Sequence, residues 1–177
     1  MKRCLLFSLT ILGLTFLSCE SEKNARIEVW LTDAPGDYQE VNIDLQAVEV
    51  HSSETDSEKG WQSVEITPQV YDLLKLTNGT ETLLGDLELP VGKLAQIRLK
   101  LGEDNTVKVD DQIHPLETPS AQQSGLKIQM HQNLAEGVTY KVLLDFDAAK
   151  SVIETGTGGY LLSPVITVTS EEQASVD

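Results

Sequence analysis

Positive charge is scarce in this chain. Its 177 residues carry 13 Lys and Arg against 28 Asp and Glu, a formal net charge of −15 at pH 7. No run of Lys or Arg follows Arg3, and a nucleic-acid binder needs a clustered basic face to displace counterions, so nucleic acid is excluded as a partner. Cysteine is equally sparse. Only Cys4 and Cys19 are present, which rules out a disulfide framework and leaves the fold to be held by its core. Aromatic residues make up 5%, fewer than a sugar-binding module ordinarily carries. The N-terminal apolar stretch, residues 4–17, falls short of the roughly 20 residues a membrane-spanning helix requires. A hydrophobic content of 40% excludes a disordered or collagenous chain, and the length suits one domain with a real core.

What is present at the N-terminus is an address. Lys2 and Arg3 precede the apolar stretch, Ser18 is a small residue before Cys19, and Glu20-Ser21-Glu22-Lys23-Asn24 follow. This is the layout of a secretory leader. Phe16-Leu17-Ser18-Cys19 resembles the looser lipobox of Bacteroidetes-type lipoproteins. That resemblance implies a leader over 1–18, cleavage before Cys19, a diacylglycerol on its thiol and a further acyl chain on its new amino group, holding the protein on the outer membrane. The acidic residues after Cys19 are similar to surface-export signals of that group. Residues 19–24 are then expected to be a polar tether, 25–170 the folded domain and 171–177 a frayed acidic tail.

Within 25–170, apolar residues recur at every second position. Ile27, Val29 and Leu31 alternate with Glu28, Trp30 and Thr32, and Val41, Ile43 and Leu45 with Asn42, Asp44 and Gln46. Both runs predict half-buried antiparallel strands. The apolar positions then shift to Val48 and Val50, as a β-bulge near Ala47 would cause. The same alternation marks Ile97 to Leu101, Leu126 to Met130, Val138 to Phe146, and Leu162 to Val168 as one run. Residues 52–60 predict a surface loop, Tyr71 to Leu76 fit either a strand or one helical turn, and Asn78-Gly79 is a hairpin-type turn. Only 147–152 has helical character. The expected fold is an all-β antiparallel sandwich.

Several motifs, in order, resemble one family: Leu31-Thr-Asp-Ala-Pro-Gly-Asp-Tyr38, Leu83-Leu-Gly-Asp86, Leu89-Pro-Val-Gly92 leading into Gln96-Ile-Arg-Leu99, Gly125-Leu-Lys-Ile128, Asp145-Phe-Asp-Ala-Ala-Lys-Ser-Val152 and Tyr160-Leu-Leu-Ser-Pro-Val-Ile166. On these the chain is identified as a member of the bacterial and archaeal domain of unknown function 4382, over about residues 25 to 169. The resemblance implies a transthyretin-like or immunoglobulin-like sandwich and no particular activity.

Two candidate sites stand out. Asp33 and Asp37 bracket Pro35-Gly36, and Asp145 and Asp147 end a long apolar strand, so the four carboxylates are candidate ligands for calcium, which takes six to eight oxygens at about 2.4 Å. The competing reading is structural: Asp side chains bond turn N–H groups, and Asp147 precedes Ala148-Ala149-Lys150 as a helix cap. Trp30, on the polar face of its strand, and Trp61, opening another, are candidate sugar platforms, against packing at the rim of the sandwich. Arg98 and Lys100 fall on the solvent side of their strand.

Catalytic signatures are missing. His51, His114 and His131 are scattered without zinc-ligand spacing, which predicts surface positions; no G-x-S-x-G occurs; and Gly156-Thr-Gly-Gly159 has no phosphate-loop lysine. The sequence therefore points to a lipid-anchored, extracytoplasmic, non-catalytic binding or scaffold module, with no obligatory cofactor and a glycan or surface protein as partner. A calcium-stabilised adhesion or structural domain and an unrecognised polymer-acting enzyme are the alternatives.

Overall fold

The structure, a computed structural model, describes residues 23–52, 60–118 and 124–173. Residues 1–22, with the expected leader and Cys19, lie outside these, as do most of the loop expected at 52–60 and the last four residues of the expected tail.

The described chain is an all-β sandwich. One sheet has four strands in the order β13 (Ile166–Gln173), β10 (Thr139–Asp147), β1 (Asn24–Ala34) and β5 (Thr82–Pro90). The larger sheet runs β11 (Val152–Glu154), β12 (Tyr160–Leu162), β8 (Gln112–Glu117), β7 (Thr106–Val109), β2 (Glu40–Ser52), β6 (Gly92–Leu101) and β9 (Leu126–Leu134), and β3 (Trp61–Ser63) and β4 (Gln69–Asp72) also pair with β2. The apolar members of each alternating run meet between the layers. Ile27, Val29, Leu31, Val142, Leu144 and Phe146 from one sheet and Val41, Ile43, Val48, Val50, Ile97 and Leu99 from the other are all buried. The bulge expected near Ala47 is present, since Leu45 faces Leu101 while Ala47 faces Lys100; Gln46 is the extra residue, and it lets Val48 and Val50 face inward.

Several expectations are corrected or resolved. β1 is antiparallel to β5 but parallel to β10, as is β12 to β8, because side-chain alternation is the same whichever way a neighbour runs. The run from Leu162 to Val168 is two strands in different sheets, broken at Ser163–Val165, where Pro164 supplies no N–H for a ladder. The segment at Tyr71–Leu76 is both predicted forms in turn: β4 to Asp72, then a 3-10 turn over Leu73–Leu76 capped by the Asp72 carboxylate. Asn78 and Gly79 adopt positive φ in a turn closed by Thr80 N–H on the Thr77 carbonyl at 3.1 Å, which joins that 3-10 turn to β5 rather than two paired strands. At the C-terminus β13 continues through Glu171 and Glu172 to Gln173, paired with the start of β10, so the sheet reaches into the expected tail; β1 likewise begins at Asn24, inside the expected tether.

Candidate functional site

The ends of β1 and β10 show what the four aspartates do. In the parallel register Thr32 faces Asp145, Asp33 faces Phe146 and Ala34 faces Asp147. Asp33 and Phe146 point into the core, and Asp145 and Asp147 point outward, so the sheet itself separates the carboxylates. Asp147 caps helix α1 (Ala148–Ser151): its carboxylate accepts from Lys150 N–H at 3.0 Å and pairs with the Lys150 ammonium at 2.5 Å. Asp37 is exposed on the turn. Among the described residues no group of three or more His, Cys, Asp or Glu is placed to hold a metal ion.

Asp33 is the unusual member. It is 4% exposed; one oxygen accepts from Ala148 N–H at 2.9 Å, and Oδ2 is buried without a hydrogen-bond partner. Burial pushes its pKa up to about 6, the Ala148 bond opposes this, and Asp145 and Asp147 add to the rise. The folded state thus prefers protonated Asp33. Its stabilising contribution is complete below the ordinary carboxylate pKa of 3.8 and is lost as pH rises through about 6. Asp33→Asn should therefore gain stability relative to the native chain between about pH 4 and pH 6, levelling off above. Across that range the gain is expected to grow by at most about 3 kcal/mol, two pKa units at 1.36 kcal/mol each. Parallel thermal melts at pH 4 and pH 7.5 check it; a difference independent of pH would contradict it.

The two tryptophans lie on different sheets and do not form one platform. Trp61 belongs to an ionic cluster on the outer face of the larger sheet. Arg98 lies across its ring at 4.1 Å from the centroid, the Lys127 ammonium is at 5.9 Å, and His51 tilts against it at 5.1 Å. Glu49 joins the cluster from β2: it pairs with the Arg98 guanidinium through both Nε and a terminal nitrogen and accepts from Lys100 at 2.7 Å. Gly125 at φ +72° lets the Arg98 stem pass, since a Cβ there would stand 2.7 Å from Arg98 Cγ. Burial works to raise the Glu49 pKa, but the bonds from Lys100 and Arg98 outweigh it and hold the carboxyl below its ordinary value. His51 is buried here, not at the surface. Arg98 and Lys100, on the outer side of their strand as expected, both pair with Glu49. This cluster gives Trp61 a structural role.

Trp30 is set differently. On the outer face of the four-stranded sheet, register places Leu83, Trp30, Leu143 and Thr169 in one row across β5, β1, β10 and β13. Leu83 is 43% exposed and Trp30 and Leu143 are half-buried, which leaves an apolar stripe on a solvated face. The next row holds Asp86, Glu28, Lys141 and Glu171. Glu28 accepts from the indole N–H at 3.1 Å, the Lys141 ammonium stands 5.2 Å from the ring centroid and Lys141 is paired with Glu81. Beside Leu143, a depression of about 60 Å³ is lined by Glu81, Lys141, Thr169 and Glu171. The sequence named Trp30 for this face but missed Leu83 and Leu143, whose approach depends on strand order.

Fold and face together define a β-sandwich that carries an apolar stripe edged by carboxylates on its smaller sheet. The family model described as domain of unknown function (DUF4382) matches residues 24–164, and the chain belongs to that family. No curated protein matches the chain. A crystal structure from Parabacteroides distasonis ATCC 8503, of a protein that its name assigns to cell adhesion, is similar at 15% identity with a TM-score of 0.39. The likeness covers 87% of this chain and 53% of that one, about half its length. Among the described residues no helix is long and apolar enough to cross a membrane.

Proposed function

We propose that the protein is a lipid-anchored, extracytoplasmic, non-catalytic binding module that takes a neutral glycan on the outer face of its four-stranded sheet. The row Leu83–Trp30–Leu143 carries this reading. Sugar rings present C–H faces that bury well against an indole and aliphatic side chains, and hydroxyl rims that need acceptors. Here Glu28 and Glu171 supply carboxylate oxygens one row away, while Asp86 is paired with Arg26 at 2.7 Å. Their charge disfavours an anionic polymer and leaves a neutral one as the fitting ligand. The cation beside Trp30 stands farther from its ring, 5.2 Å from the centroid against 4.1 Å for Arg98 at Trp61. The anchor rests on Phe16-Leu17-Ser18-Cys19, and the acidic chain held by it would extend away from an anionic surface.

Affinity electrophoresis through gels containing single neutral polysaccharides tests the reading. The native chain and Trp61→Phe are expected to be retarded by at least one of them, and Trp30→Ala is expected to bind at least tenfold more weakly, a loss of about 1.4 kcal/mol. Equal retardation of the native chain and Trp30→Ala would overturn the assignment of this face.

A further inference from the structure

The sheet margins are unequally protected. β3 and β4, which pair with β2 alone among the described residues, are three and four residues long. β11 is only three residues long, and β5 ends in Pro90 and is bridged at Asp86 by Glu65. Short strands, prolines and covering segments are how edges are kept from pairing with other chains. Among the described residues β9 and β13 have none of these. They are nine and eight residues long without proline, each pairs on one side only among the described residues, and they lie together along one open side of the sandwich. Two adjoining grooves run between them, of about 350 and 210 Å³. The first sets Ile128 near Ile166, the second Met130 near Val168 and Ser170, so the strands ascend in the same direction. Ile128, Ile166 and Val168 are half-buried there, and the Ser170 hydroxyl is buried with no hydrogen-bond partner.

The two edges are also unlike in charge. β9 carries Lys127 and His131 and no carboxylate, although the chain has 28; β13 carries Glu171 and Glu172 and no cation.

We infer that this seam is a self-association surface, on which a second copy of the chain docks by twofold symmetry so that β9 of each protomer pairs with β13 of its partner. A twofold axis along the seam brings the larger sheet of one copy to the smaller sheet of the other. Both exposed edges are then closed in a single isologous contact. The half-buried apolar residues are covered, and a neighbouring backbone comes to the Ser170 hydroxyl. The other twofold arrangement, β9 on β9 and β13 on β13, collects four glutamates in one strand pair and is disfavoured for that reason. Because each copy is strongly acidic, association should strengthen as salt screens the long-range repulsion.

Cysteine cross-linking in whole cells separates the arrangements. Gln129 and Thr167 are exposed, lie on the outer face of their strands and come level across the seam. Two differently tagged full-length chains, one Gln129→Cys and the other Thr167→Cys, are co-expressed and oxidised briefly, with the unsubstituted chain as the control for Cys19. The mixed dimer is expected at least tenfold above either homodimer. A dominant Gln129→Cys homodimer would overturn the pairing in favour of like edges. Absence of any dimer, or all three in equal amount, would overturn the interface itself.

Discussion

Glu49→Ala is expected to cost about 3 kcal/mol of folding stability and, for a chain of this length, roughly 6 to 12 °C in melting temperature. Glu49 is 9% exposed and accepts from Arg98 and Lys100 together. Its removal takes from the Arg98 guanidinium, 11% exposed at the side chain, a carboxylate that helps offset its desolvation. Breaking a fully buried pair costs about 3 to 5 kcal/mol; the lower end applies because Lys100 is 45% exposed at the side chain and hydrates readily. The effect depends on pH with a definite sign. The folded pKa of Glu49 lies below its ordinary value, so its contribution is present above that value and disappears as pH falls through the folded pKa. The penalty of Glu49→Ala should therefore shrink in acid, where the Asp33 effect runs the other way. Guanidinium titrations at pH 7 and pH 3 check this; an undiminished penalty at pH 3 would contradict it.

Cys19→Ala is expected to abolish incorporation of an alkyne-tagged fatty acid and to empty the outer-membrane fraction of the protein. Each buried methylene contributes about 0.8 kcal/mol, so two or more chains anchor stably where one does not. Without them an acidic domain has no attraction to an anionic surface. Acyl label on the variant, or its persistence in carbonate-washed outer membranes, would end the lipoprotein reading.

Much of the fold was legible because burial writes itself into strands with period two. The core faces of β1, β2, β6 and β10, the bulge at Gln46 and the cap at Asp147 all follow from residue order alone. The burial of Asp33 was missed, although its position carried the signal. Asp33 shares parity with Ile27, Val29 and Leu31, and that parity places it inside, whereas its neighbours Pro35-Gly36 suggest a turn ligand. The Glu49–Arg98–Trp61 cluster was not legible, because its members come from β2, β6 and β3 and become neighbours only through strand order. The same holds for Leu83 and Leu143 beside Trp30. Register across a sheet is decided by turns and bulges far along the chain, and no local pattern encodes it.

The glycan face is tested most directly at its own indole. In Trp61→Phe the single remaining tryptophan is Trp30, so its emission reports that face alone. Titration with a polysaccharide that retards the native chain should shift Trp30 emission to shorter wavelength and shield it from iodide, saturating in step with binding measured by calorimetry. Saturable binding that leaves Trp30 emission and quenching unchanged would place the ligand elsewhere.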